Sequence, residues 1–181
     1  QKPPRLLQGK TMNVGTVYVP TREVDLIQLP EPALASPYEV LVKVQQVGLC
    51  TKDVKILEGL AGKAPSHSEH LIIGHEMLGR VVALGKRVRT LRLGDLVVPT
   101  VRRGCRVCES CLRGDEGSCY SSLYTERGIW EAQGFLSEYI AEEEANLIKV
   151  RLDLENVAVL LEPMSMAVKA LELARTAQQR L

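Results

Sequence analysis

Residues 12–47 read MNVGTVYVPTREVDLIQLPEPALASPYEVLVKVQQV, and this stretch decides the fold. β-Branched and aromatic residues recur at alternate positions, first at Val14, Thr16 and Tyr18, then across residues 24–29, then at Val40, Val42 and Val44. A period of two puts alternate side chains on one face of an extended chain, so each run predicts a strand. Pro30, Pro32 and Pro37 separate the second and third runs. Proline locks its own φ and disfavours helix in the residue before it, so these segments are extended turns.

Outward from this stretch, residues 51–57 predict one or two helical turns before a loop carrying Gly59, Gly62 and Pro65. Strands are expected at 79–84, at 96–101 after the Gly94-Asp95 turn, and at 135–141 and 147–150. Residues 154–181 contain no glycine and are rich in Ala, Leu and Glu, which predicts helix. Met164, Ala167, Val168, Leu171 and Ala174 fall on one helical face. Pro163 suits the first turn, and Glu162 is favoured there by the helix dipole. Residues 1–11 are read as a leader or an expression remnant and are given no structure. Short strands with Gly and Pro turns, followed by helix, predict a mainly β domain: a small barrel ending in a connecting helix.

Hydrophobic residues make up 45% and charged residues 25% of the 181-residue chain, a composition that excludes disorder. A formal net charge of +1 provides no field for gathering nucleic acid, and one Trp, one Phe and five Tyr provide few stacking platforms. No apolar run approaches the roughly 18 residues needed to span a bilayer, so no membrane partner is expected and the cytoplasm is the expected compartment. No G-x-G-x-x-G follows a strand, which argues against a dinucleotide-binding fold within these residues.

Four of the five cysteines crowd into Cys105-Arg-Val-Cys108-Glu-Ser-Cys111 and Cys119. Residues 102–128 around them have no hydrophobic period, so burial cannot order the segment. Four thiolates spaced x2, x2, x7 suit one tetrahedral zinc, and a closed shell of four sulfurs leaves no position for substrate. The expected role is structural. An iron-sulfur cluster is disfavoured, because in ferredoxins the fourth Cys normally follows after three residues and precedes Pro, whereas Tyr120 follows Cys119 here.

Of the three histidines, His67 and His70 lie in a polar loop and read as solvated. His75 differs. It sits in Ile73-Gly74-His75-Glu76 beside an apolar strand, where an imidazole and a carboxylate are costly to bury unpaired and a metal would account for both. Cys50 is an isolated thiol after the third strand, readable by itself as a small buried hydrophobe.

Spacing does not join these residues, but a resemblance does. Gly48-Leu-Cys50-Thr-Lys-Asp53, Ile73-Gly-His75-Glu76, Arg92-Leu-Gly-Asp95-Leu-Val-Val-Pro99 and the four-cysteine lobe occur in the order seen in medium-chain zinc-dependent alcohol dehydrogenases. Within that family, Val97-Val-Pro-Thr-Val-Arg-Arg103, Glu126-Arg-Gly-Ile129, Gly134-Phe135 and Leu161-Glu162-Pro163 are similar to segments of the glucose and sugar dehydrogenase branch. The resemblance implies a GroES-like, partly open β-barrel over residues 12–152, with the zinc lobe at 102–120, and a helical connector at 153–181 toward a Rossmann domain absent from the chain. It implies a catalytic zinc among Cys50, His75 and Glu162, with Glu76 next to or directly on the metal, and Glu126 as a carboxylate that holds sugar hydroxyls.

The implied activity is hydride transfer from an alcohol, polyol or sugar hydroxyl to NAD or NADP, in an enzyme that is a homo-oligomer at full length. This fragment by itself would be inactive. The family pattern C-x-[ST]-D departs at Lys52, which leaves the adjacent Thr51 as the alternative proton relay or as a helix N-cap. A reading from a different class is a zinc-stapled binding module without chemistry, which predicts one zinc rather than two.

Overall fold

The computed structural model describes residues 10–179, so the expectations for residues 1–9 and for residues 180–181 lie outside them, while Thr11, within the stretch given no structure, opens the first strand. Among the described residues the chain forms β1 (Thr11–Tyr18), β2 (Glu23–Pro30), β3 (Glu39–Gly48), α1 (Thr51–Leu57), β4 (His70–Ile72), β5 (Glu76–Leu84), β6 (Leu96–Pro99), β7 (Arg102–Arg103), α2 (Glu109–Leu112), β8 (Thr125–Arg127), β9 (Glu131–Ala132), β10 (Tyr139–Glu143), β11 (Leu147–Val150) and α3 (Leu161–Gln178).

The strands form three sheets, ordered β2-β1-β4, β10-β3-β5-β6-β11 and β7-β8-β9. All pairs are antiparallel except β8 with β9. Alternation along β3 buries Val40 and Val42 against Met77 and Val81 of β5, with Val97, Phe135, Ile140 and Leu147 completing the main core. The opposite face of β5 carries Leu78 into a second layer with Leu96, Val98, Val150 and Ala158. Central β5 is thus covered by apolar side chains on both faces around Met77 and Leu78.

The sheets are not closed into a barrel, in keeping with the partly open form that the resemblance implies. The first two sheets do not join through a ladder but are stitched by the irregular segment 134–137. Gly15 donates to the Leu136 carbonyl at 2.8 Å, Gly134 to Ile72 at 2.7 Å and Phe135 to Gly74 at 2.9 Å. Because its N–H groups are divided between these partners, the segment does not form the strand expected from 135; β10 begins only at Tyr139.

The C-terminal region also differs. Two 3₁₀ turns, Leu152–Leu154 and Ala158–Leu160, precede α3, so helix starts at Leu161 rather than 154. Pro163 and Glu162 do lie in its first turn. The apolar face is not covered: Met164, Val168 and Leu171 are exposed, and none of the described residues of α3 is buried.

Candidate metal centres

Residues 104–119 fold back on themselves with little core beyond sulfur. Cys108, Cys111 and Cys119 are buried and pack with Cys105 and Tyr124. The ligand atoms of the four cysteines lie within 4.8 Å of one another. Sγ separations are 3.8 Å for both Cys105–Cys111 and Cys108–Cys119, far too long for disulfides. A tetrahedron with metal–sulfur distances of about 2.3 Å has an edge of about 3.8 Å, so the cage already has the dimensions of a zinc tetrathiolate. The backbone prepares it for anions: N–H groups of Val107 and Cys108 hold the Cys105 thiol down to about 6, whereas burial pushes Cys111 up. Gly104 is needed for closure, because a Cβ there would stand 2.5 Å from Cys111 Sγ.

The second cluster begins at the N-terminus of α1. Cys50, not Thr51, is the N-cap: its sulfur accepts from Lys52 N–H at 3.4 Å, and its own N–H donates to Asp53 Oδ2 at 2.9 Å. Thr51 and Lys52 are exposed in the first turn. Asp53 is 3% exposed, and its second oxygen accepts from Gly74 N–H at 3.1 Å, so one carboxylate ties α1 to the turn before His75. His75 Nε2 lies 3.4 Å from Cys50 Sγ. Glu76 opens β5 directly opposite Gly48, the one residue small enough to let its carboxylate fold over β3. One ligand atom from each of Cys50, His75 and Glu76 falls within 4.8 Å of the others.

The electrostatics favour a cation in this cluster. Burial pushes the Cys50 thiol up. Burial acts downward on His75, but the Asp53 carboxylate, with Glu162 and Glu76 behind it, outweighs burial and leaves the imidazole raised. Burial likewise acts upward on Asp53, and His75 with the N–H groups of Cys50 and Gly74 holds it below the usual range. His75 Nδ1 is buried without a hydrogen-bond partner, 3.7 Å from Asp53 Oδ2. Nε2 toward a metal and Nδ1–H toward a carboxylate is the arrangement of metal-binding histidines, so the residues fit a divalent ion.

Two further carboxylates stand near this cluster, Glu162 within electrostatic reach of His75 and Glu76, and Glu126 within reach of Glu162. Glu162 sits in the first turn of α3, where burial raises its carboxyl, His75 opposes and Glu76 and Glu126 reinforce. Glu126 lies on β8, with Arg102 Nη2 at 2.8 Å. The 126–134 loop reaches the site because glycines allow backbone contact: a Cβ at Gly128 would stand 2.6 Å from the Gly74 carbonyl, and one at Gly134 2.5 Å from those of Ile72 and Ile73.

Residues 36–152 match the alcohol dehydrogenase GroES-like domain. The chain belongs to this family. It is 47% identical over 144 residues to a glucose 1-dehydrogenase of Methanocella arvoryzae, covering 79% of this chain and 40% of the relative. It is 43% identical over 150 residues to that of Thermoproteus tenax, covering 82% and 41%. Among solved structures, Haloferax mediterranei glucose dehydrogenase in complex with NADP, Zn and gluconolactone superposes with a TM-score of 0.86 at 32% identity, over 94% of this chain and 47% of that one. Galactitol-1-phosphate dehydrogenase of Escherichia coli gives 0.78 at 26%, over 91% and 45%. The chain therefore spans about 40% of the length of these curated relatives.

For this GroES-like member the family resemblance and the mainly β fold class hold. The structure brings Cys50, His75 and Glu76 into one tight group, leaving Glu162 outside it but within electrostatic reach, and Glu126 within reach of Glu162. His67 is exposed, but His70 is half-buried on β4, with Nδ1 3.3 Å from Thr16 Oγ1 and its ring against Tyr18, which corrects its solvated reading. Sequence reasoning missed Asp53 and Arg102. Both stand inside segments quoted for the resemblance, and a charged residue destined for burial is signalled only by the partners it meets in three dimensions.

Proposed function

We propose that this chain is the substrate- and zinc-binding part of a nicotinamide-dependent dehydrogenase acting on a polyhydroxylated alcohol, of the glucose 1-dehydrogenase kind. The observation that carries the reading is the convergence of Cys50, His75 and Glu76 on one point with Asp53 behind the imidazole. Similarity to the glucose 1-dehydrogenases supports the substrate class. The units are residues 12–152, with the cysteine lobe at 102–120, and the connector at 153–181.

In this reading Cys50, His75 and Glu76 hold the catalytic zinc and Glu162 completes its surroundings, while Cys105, Cys108, Cys111 and Cys119 hold the structural one. A zinc held by Cys50, His75 and Glu76 would supply Lewis acidity, lowering the pKa of the substrate hydroxyl. Asp53, whose carboxylate stands 3.7 Å from His75 Nδ1, favours the orientation of the ring electrostatically. Glu126 receives a further hydroxyl of the substrate. Thr51, whose hydroxyl makes no hydrogen bond among the described residues, carries the released proton to solvent, with Lys52 as the alternative. NAD or NADP, held by a separate nucleotide-binding Rossmann domain, would accept the hydride from the substrate carbon, in a cytoplasmic homo-oligomer. Among the described residues no helix is long and apolar enough to cross a membrane.

Metal analysis of the intact protein tests the reading. Two zinc ions per chain are expected, with one lost in Cys50→Ser and in His75→Ala. A single ion, unaffected by either substitution, establishes a zinc-stapled binding module instead. Thr51→Ala is expected to alter the pH–rate profile, and an unchanged profile removes Thr51 from the relay.

A further inference from the structure

Arg102 has a set of contacts that the metal chemistry does not require. It lies on β7 directly opposite Glu126 of β8, so the two side chains share one face of the ladder. Its Nε and Nη2 both donate to the same oxygen, Glu126 Oε1, at 3.0 and 2.8 Å. Glu126 Oε2 accepts no hydrogen bond among the described residues. The remaining nitrogen, Nη1, donates to the Gly117 carbonyl at 3.2 Å, inside the cysteine lobe. The guanidinium carbon lies 4.3 Å from the Tyr124 ring centroid. The Gly117 turn is held from its other side by Lys169 of α3, with Nζ 3.2 Å from Ser118 Oγ and 3.8 Å from Asp115 Oδ1.

A surface arginine facing a carboxylate ordinarily has several arrangements of equal worth, and little energy separates them. Here the third donor and the aromatic face select one. A carboxylate gripped through one oxygen and open at the other is a directed acceptor, whereas a free carboxylate rotates and is solvated on both.

We propose that Arg102 is a specificity-determining positioning residue, which orients Glu126 so that its free oxygen accepts from a second hydroxyl of the substrate, and which takes its own position from the cysteine lobe. The proposal rests on the reading of Glu126 as the sugar-binding carboxylate. It makes selectivity for a polyol over a simple alcohol depend on a residue that need not touch the substrate. Lysine does not reproduce the grip, because a single ammonium cannot span Glu126 and Gly117 in one plane.

The test uses the intact zinc-loaded protein with Arg102→Gln, Arg102→Lys, Glu126→Gln and the Arg102→Gln/Glu126→Gln pair. D-Glucose binding is measured by calorimetry, and KM and kcat are measured for D-glucose and 1-propanol. Losing one oriented, charge-assisted hydrogen bond is expected to weaken glucose binding about tenfold. The loss appears in KM rather than kcat, and lowers the glucose-to-propanol selectivity ratio by the same factor. Arg102→Lys recovers part of it, and the double variant is no worse than Glu126→Gln alone.

If Glu126→Gln leaves glucose binding intact, the reading of Glu126 fails and takes the proposal with it. If Glu126→Gln weakens binding but Arg102→Gln does not, or if Arg102→Gln costs propanol as much as glucose, Arg102 is structural only and the proposal is overturned while Glu126 stands. Should Arg102→Gln not fold, judged by its melting curve and zinc content, Arg102→Lys decides by the same ratio.

Discussion

A methyl group at Gly134 would stand 2.5 Å from the carbonyl oxygens of Ile72 and Ile73, and both are backbone atoms with nowhere to turn. Gly134→Ala is therefore expected to destabilise the protein by about 2–3 kcal/mol, read as a lower urea midpoint with unchanged slope. Cys50→Ser should behave in the opposite sense. Cys50 caps α1 through its side chain, and serine is the better cap, so the metal-free protein should melt no lower than the wild type although one zinc is lost. Melting the metal-free forms side by side checks this, and a clear fall in the variant contradicts the capping role. At this scale the candidate ligand residues stood out because thiol, imidazole and carboxylate recur in recognisable strings. The residues that aim them were not. Asp53 and Arg102 acquire meaning only from Gly74, His75, Glu126 and Gly117, which the chain brings to them from elsewhere.

Strand β10 brings Glu142, 8% exposed, between Arg103 of β7, with Nη2 at 2.7 Å, and Arg127 of β8, with Nε at 3.5 Å. Burial pushes the Glu142 carboxyl up, but Arg127, Arg103 and the Asn146 amide pull harder, and the group ends below its usual value of 4.5. A folded-state pKa below the unfolded one stabilises the fold above about pH 4.5, and that contribution is lost as pH falls through the depressed value. Glu142→Gln should flatten the acid limb of a pH–stability curve and cost on the order of 3 kcal/mol at neutral pH, since it leaves Arg127 buried without its counter-charge. An unchanged acid limb would exclude the pairing. Among elements of four residues or more, β1, β2, β3, α1 and β11 were readable from period and punctuation. The three-residue β4 and the two-residue β7 and β9 were not, because so few positions display no period. They exist through pairing alone. The 3₁₀ turns before α3 were hidden for a related reason: helix-forming composition does not say where a helix may begin when Ala158 must first pack under β5 and β6.

Across the whole molecule, the sheets share hydrophobic cores while the cysteine lobe has sulfur and Tyr124 in place of one. Its order should depend on its metal. Stripping zinc with an excess of chelator is expected to speed amide exchange across residues 104–120, while β3 and β5 stay protected; mass-resolved hydrogen exchange checks it, and simultaneous loss of protection everywhere would show that lobe and sheets unfold as one. The gross architecture was legible in strand periods and motif order. The openness of the sheets came only with the resemblance, and the place where they part was not legible, because it depends on how the 134–137 segment divides its hydrogen bonds. Helix α3 has a mechanical consequence. Glu162, within electrostatic reach of His75, and Lys169, against the Asp115–Ser118 turn, are seven residues apart, two turns or about 10 Å along a stiff rod. That rod is a strut of set length between the two cysteine-bearing clusters. A roll of α3 that draws Glu162 away from His75 must swing Lys169 from the lobe by the same angle, so neither end can be adjusted alone.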